Sequence, residues 1–181
     1  MLKITGGSFK GHSIKTLSGL KTRPTNSKVR EAIFNILQTN IINTSWLDLF
    51  AGIGSIGIEA LSRGAKDVTF IDFDYSAFSC LKQNTSIFEK EKVKLIKKDS
   101  IRFLSDCRES FDIIFLDPPY DSKYYEETFS IINKNTHLLN PNGFFIVEHR
   151  TKNNLPETNL LKLKNYKYGD TSLTIYKNNV E

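Results

Sequence analysis

Asp117-Pro118-Pro119-Tyr120 follows directly on the apolar run Phe111 to Leu116, and its residue types suit a site that reads an amino group. Asp117 supplies an acceptor. Pro118 and Pro119 fix φ at about −65° and carry no N–H, and Tyr120 adds a flat stacking ring. The run Ile113-Ile114-Phe115-Leu116 predicts a strand buried on both faces. The four residues therefore fall at the carboxyl end of a central strand, where open α/β sheets bind ligands. Acceptors beside an aromatic surface suit a planar base with an exocyclic amine.

A second group lies upstream. Asp48-Leu49-Phe50-Ala51-Gly52-Ile53-Gly54-Ser55-Ile56-Gly57 contains a literal GxGxxG, and Asp72 stands twenty residues after Gly52 at the close of the next apolar run. Taken alone this is a dinucleotide fingerprint, in which glycines admit a close backbone approach and the acid binds ribose hydroxyls. S-adenosylmethionine also carries an adenosine, but its methionine end bears an ammonium. Asp48, just before the glycines, suits that cation better than a diphosphate. Asp99, in Lys97-Lys98-Asp99-Ser100, can accept from an adenine amino group or equally cap the helix that starts near Ile101. Asp72 can be a polar strand end and the glycines a tight turn. Acids and glycines at the tips of four successive strands favour an S-adenosylmethionine site held by Asp48, Phe50, Ala51, Gly52, Gly54, Asp72, Asp99 and Ser100. Asp117, Pro118 and Tyr120 are the catalytic candidates. A nicotinamide oxidoreductase is the rival on the glycines alone, and it leaves Asp48, Asp99 and Asp117 without a role.

These groups need a frame. From residue 45 strands and helices alternate: strands Trp46 to Phe50, Val68 to Asp72, Val93 to Lys97, Phe111 to Leu116 and Phe144 to Glu148, with helices Ile56 to Ser62, Ser76 to Phe88, Ile101 to Cys107 and Tyr125 to Asn135 between them. Alternation of this kind predicts a doubly wound parallel sheet with helices on both faces. Leu160 to Tyr166 and Ser172 to Tyr176 meet at Gly169-Asp170 as an antiparallel hairpin, for seven strands in all. Ahead of this core, 2–5 and 12–17 predict a small hairpin, and Val29, Ala32, Ile33, Ile36 and Leu37 follow helical spacing. The expected division is a basic arm, 1–44, on a cofactor-binding core, 45–181.

Charge is concentrated in that arm. Residues 1–30 hold seven basic residues and no acid, against 18 basic and 20 acidic groups in the rest of the 181. The asymmetry points to a polyanion at one end, although Lys-rich solvated faces are common. Lys3, Lys10, Arg23, Pro24, Thr25, Arg30 and Tyr120 are the candidate contacts to nucleic acid. Cys80 and Cys107 lack metal-ligand spacing and read as reduced core residues of a cytoplasmic protein. No metal site, no membrane span and a monomer are expected. Of the histidines, His149 at a strand end could line the pocket, and a satisfied structural role is favoured.

The chain resembles the RsmD family, which methylates the N2 of a guanine in 16S rRNA of the small ribosomal subunit. The likeness runs from about Ile4 to Tyr176. Gly6-Gly7 with Lys10-Gly11, Arg23-Pro24-Thr25, Val29-Arg30-Glu31-Ala32, Asp48 to Gly52, Gly57 to Ala65, Asp117 to Tyr120 and Tyr168-Gly169-Asp170 carry it. The glycine loop and Asp-Pro-Pro-Tyr mark only a broad superfamily; the arm and the Gly57 to Ala65 helix are more specific. The resemblance implies a Rossmann-like class I methyltransferase acting on 16S rRNA, in the small subunit or an assembly intermediate. Ile53, His12 and Asp72 depart from the usual Ser, Arg and Glu. A DNA adenine-N6 or other RNA amino-methyltransferase remains an alternative, as does an RNA-binding module on a degenerate enzyme fold.

Overall fold

The computed structural model describes residues 2–17, 27–119 and 123–179. Strands β1 (Leu2–Lys3) and β2 (Ser13–Ile14) form the expected hairpin, shorter than its apolar segments suggest. Beyond Ile14 the chain bonds to a helix instead of a strand: Lys15 donates its backbone N–H to Asn84 Oδ1 (2.8 Å) and its Nζ to Gln83 Oε1 (2.8 Å). Helix α1 (Ser27–Leu37) follows and buries Val29, Arg30, Ile33, Phe34 and Leu37.

The core alternates as expected. In order come β3 (Ser45–Leu49), α2 (Ser55–Ser62), β4 (Asp67–Asp72), α3 (Tyr75–Asn84), β5 (Val93–Lys97), α4 (Ser100–Asp106), β6 (Phe111–Leu116), α5 (Tyr124–Lys134), β7 (Leu139–Arg150), β8 (Leu161–Tyr168) and β9 (Thr171–Lys177). They build one seven-stranded sheet in the order β5-β4-β3-β6-β7-β9-β8. Every pairing is parallel except those of β9, which runs against both neighbours. The C-terminal hairpin does not simply extend the edge: β9 inserts beside β7 and leaves β8 outermost. Composition explains the choice. Thr171 to Tyr176 carries no charge and is wholly buried, whereas Leu161 to Asn165 is exposed and Lys-bearing, as an edge strand requires.

β3 sits where the strand order reverses, with β4 on one side and β6 on the other. Successive crossovers leave it in opposite directions, so the loops after β3 and β6 face one crevice. One apolar cluster lies under the hairpin, α1, α2 and α3 and includes Ile4, Ile33, Trp46, Ile58 and Leu81. The other lies under α4 and α5 and includes Leu104, Ile114, Phe129 and Phe145. Among the described residues no helix is long and apolar enough to cross a membrane.

Gly57 shows how tightly α2 meets the sheet. A Cβ there would lie 2.3 Å from the Phe70 ring and 2.8 Å from Val68 Cγ1. Gly57→Ala is expected to overpack this contact and cost about 1–3 kcal/mol. At roughly 2–4 °C per kcal/mol for a domain of this size, a melting curve followed by circular dichroism would register the loss. An unchanged midpoint would show that α2 can shift without penalty.

Candidate functional site

The chain leaves β3 through a strained turn. Phe50 has φ +61°, a left-handed conformation that is rare for a bulky residue and clusters at functional sites. Gly52 and Gly54 also have positive φ, +57° and +85°. The turn is closed by Gly54 N–H donating to Ala51 O (2.8 Å) and fastened to β4 by Ala51 N–H donating to Ile71 O (2.9 Å). A Cβ on Gly52 would meet nothing within 4 Å among the described residues, whereas one on Gly54 would strike Leu81 at 2.4 Å. Gly52 therefore leaves bare backbone facing outward, while Gly54 and Gly57 let the helix seat on the sheet.

Three carboxylates ring this turn on adjacent strand ends. Asp48 is almost wholly buried, and its Oδ2 accepts the Gly57 N–H at 3.1 Å. Burial pushes its pKa up to about 7; the Gly57 N–H opposes the rise, and the charges of Asp117 and Asp72 add to it. Asp72 is also raised by burial, although its oxygens accept N–H bonds from Asp74 (2.8 Å) and Gly52 (2.7 Å). Acids that repel one another in a half-dry crevice are stabilised by an arriving cation. That donor set fits the ammonium and sulfonium of S-adenosylmethionine and does not fit a diphosphate.

Asp99 caps α4, its Oδ1 accepting the Arg102 N–H at 2.9 Å. Next to it, the buried Ser100 hydroxyl has no hydrogen-bond partner among the described residues, an orphan that a bound polar group would satisfy. Asp99 also lines a cavity of about 330 Å³ with Ile101, Arg102, Lys123, Tyr124 and Glu127. The Tyr124 and Phe50 rings approach to 4.9 Å, so this cavity adjoins the glycine turn. Tyr124 reads in sequence as the mere start of a helix. Phe73, between Asp72 and Asp74, is likewise absent from the sequence candidates, yet it is 59% exposed at the tip of β4. A large apolar residue between two acids was the available signal.

On β6, Leu116 pairs with Leu49 of β3, which sets Asp117 beside the glycine turn. Asp117 is half-buried, Pro118 buried and Pro119 exposed. Tyr120, Arg23, Pro24 and Thr25 lie outside the described residues. Lys3 and Lys10 are exposed. Arg30 is a correction: expected to hold phosphate, it is only 1% exposed. Its Nη2 donates to Lys3 O (2.6 Å) and its Nε lies 3.6 Å from Glu59 Oε2. The reason is its place beside Val29 and Ile33 on the stripe that α1 turns inward. His149 is buried and satisfied, Nδ1 on Arg150 O and Nε2 on Thr174 Oγ1, both at 2.9 Å.

The raised Asp48 pKa has a stability consequence. The folded protein binds this proton near pH 7 and the unfolded chain near 3.8, so the associated stability is full below about 3.8 and is lost as pH rises through 7. Asp48→Asn keeps an acceptor for Gly57 and removes that loss. The variant is expected to be more stable than the parent at pH 8 by a few kcal/mol at most, with the difference vanishing near pH 4. Its affinity for S-adenosylmethionine should fall about tenfold or more, the worth of one charged contact. Melting curves at both pH values with titration calorimetry test the pair of effects; equal melting at pH 8 would refute the burial of a titrating charge.

Residues 2–177 match the family described as conserved hypothetical protein 95. The chain is 35% identical to Ribosomal RNA small subunit methyltransferase D of Haemophilus influenzae, covering 98% of this chain and 94% of that one. It is 32% identical to the protein of the same name from Escherichia coli, covering 86% and 78%. Among solved structures, yhhF from Escherichia coli superposes with a TM-score of 0.89 over 99% of both chains at 29% identity.

Proposed function

The chain belongs to the RsmD family, the one described as conserved hypothetical protein 95, and from that membership we propose that it transfers a methyl group from S-adenosylmethionine to the exocyclic N2 of a guanine in 16S rRNA. At the level of its class it is an S-adenosylmethionine-dependent rRNA methyltransferase. The observation that carries the chemistry is the pairing of Leu49 with Leu116, which sets the Asp117 turn against the glycine turn. When bound, S-adenosylmethionine supplies an electrophilic methyl on a positively charged sulfur.

The protein's part is recognition and positioning. Bare backbone at Gly52, Ala51 and the Phe50 turn would accept close approach, with Asp48 supplying negative charge beneath. Asp72 would take ribose hydroxyls on what remains of its acceptor capacity, and Asp99 and Ser100 would take the adenine edge, with Phe73 as a stacking face. Guanine N2 is a poor nucleophile because its lone pair is delocalised into the ring. Asp117 and the Pro118 carbonyl would accept its two N–H bonds and aim the lone pair at the methyl. The fixed carboxylate stabilises the positive charge that develops on nitrogen and can then take the proton. Tyr120 would stack on the base, worth about 1–3 kcal/mol in comparable contacts. A base inside a helix cannot reach this crevice, so the target must be looped out or flipped. Lys3, Lys10 and Arg23 remain the arm's phosphate contacts, while Arg30 holds the arm in place. The division into an RNA-contacting arm (1–44) and a methyltransferase core (45–181) follows from these roles.

Labelled methyl from S-adenosylmethionine, offered to undermethylated small subunits, naked RNA from them and duplex DNA, tests this directly. Label recovered as N2-methylguanosine is the expected result. Label on DNA alone would overturn the substrate.

A further inference from the structure

Basic residues recur at a second place, far from the arm in sequence. Thr158 to Tyr168, which includes β8, carries Lys162, Lys164 and Lys167 and no acid, in a chain whose residues beyond 30 hold more acids than bases. All three lysines are exposed, and Tyr166 and Tyr168 are half-exposed among them. Cross-strand pairing sorts them by face. Lys164, Tyr166 and Tyr168 stand opposite Ile175, Leu173 and Thr171 of β9. Residues paired directly share a sheet face, and Leu173 and Ile175 belong to the apolar cluster beneath α1 and the hairpin. This ladder therefore lies on the side of the sheet that bears the basic arm. Lys164 Nζ sits 4.9 Å from the Tyr166 ring centroid.

The ladder also lies level with the Asp117 turn. Val147 pairs with Leu116 and Glu148 with Leu173, and Leu173 pairs with Tyr166. Tyr166 thus stands in the row just past Leu116, three strand spacings from β6, or about 14–15 Å. That separation is within reach of a few nucleotides of single strand running from a base held at Asp117. A cation to take a phosphate, beside rings on which bases or sugars can rest, is what single-stranded nucleic acid binds.

We propose that β8 is a second RNA contact, in which Lys164 takes a phosphate flanking the target base and the exposed parts of Tyr166 and Tyr168 pack against the same strand; Lys167, opposite Ser172, faces the other way. This rests on the RNA-methylation function proposed above. The plain alternative is that the lysines and the irregularity at Leu163 only keep an edge strand from pairing with other chains, while Tyr166 and Tyr168 pack against the apolar cluster.

Lys164→Gln decides between them. Binding of naked, unmodified small-subunit RNA, followed by fluorescence anisotropy across a salt series, should show a slope of log affinity against log salt reduced by about 0.7–0.9, the share of one phosphate no longer neutralised. Lys164→Arg should keep the parent slope, and S-adenosylmethionine affinity and the melting point should not move in either variant. A slope and affinity of the Gln variant equal to the parent's would overturn the contact at β8. Lys10→Gln, run beside it, separates the two failures: if it alone weakens binding, the RNA function stands and only the β8 contact falls. Parent protein that shows no salt-dependent RNA binding would sink both.

Discussion

Asp117→Ala is expected to slow methyl transfer by about 10³-fold, within the range attributed to a positioned base or a preorganised charge, while binding of S-adenosylmethionine stays within a few-fold of the parent. The carboxylate has two tasks in the proposed mechanism, orienting N2 and stabilising its developing charge, and both operate only as the bond forms. The loss should therefore fall on kcat more than on KM for RNA. Asp117→Asn sharpens the test. It keeps an acceptor on the turn after β6 and removes the charge, so it should recover some substrate positioning without the electrostatic contribution. A small secondary effect is expected at the cofactor, because Asp117 and Asp48 repel one another; removing Asp117 should lower the Asp48 pKa and shift the pH dependence of cofactor binding downward. Single-turnover rates with titration calorimetry separate these effects. Turnover near that of the parent with cofactor bound would refute the assignment of Asp117.

Glu59→Ala is expected to be the most destabilising single change, by about 3–5 kcal/mol, the cost of breaking a buried ion pair from one side, or roughly 10 °C in melting temperature. Glu59 is fully buried on α2. Its carboxylate accepts the Thr5 N–H (2.9 Å) and Thr5 Oγ1–H (2.7 Å), pairs with Arg63 Nε (2.8 Å) and faces Arg30 Nε (3.6 Å). Burial lowers the Arg30 pKa and Glu59 opposes that shift. Nε and Nη1 of Arg30 have no hydrogen-bond partner among the described residues, so the carboxylate is the main compensation for that charge. Without Glu59, α2 would face a stranded guanidinium. The neighbouring contacts show what else would loosen: Ser8 N–H donates to Ser62 O (2.7 Å), Phe9 N–H donates to Ser62 Oγ (3.0 Å), and Ser62 Oγ–H donates to Gly6 O (2.6 Å). A Cβ on Gly7 would sit 1.7 Å from Ser62 O, so this docking also needs glycine. Adding Arg30→Met to the variant should return part of the missing stability, because it removes the uncompensated charge. A shift of under about 2 °C for Glu59→Ala alone would show that the cluster is not what anchors the arm.

Much of the architecture was legible because the signals are local. Apolar runs ending in Asp72 and Asp117, the helical spacing of α1 and the turn residues at Gly169-Asp170 each depend on a few neighbouring positions. The order in which strands pair does not. Nothing near Thr171 says that β9 must slip between β7 and β8, except that Thr171 to Tyr176 carries no charge on either face. Seven strands follow from the pattern of apolar runs, but the edge position of β8 became clear only once β9 had taken its place.

At the site the division is similar. The acids at the strand tips, the glycine turn and the Asp-Pro-Pro-Tyr turn could all be read from the chain, because its direction and the lengths of its strands fix which residues reach the carboxyl ends. How each group is used came from the packing around it. Arg30 looks like a phosphate ligand in a basic arm until Glu59, 29 residues away, pairs with it inside the protein. Asp48 looks like an ordinary carboxylate until burial beneath its own loop, with Asp72 and Asp117 nearby, raises its pKa to about 7. Tyr124 joins the site only because α5 brings its ring to Phe50. Periodicity and residue type are properties of the chain, but desolvation and ion pairing depend on what the fold places opposite each group.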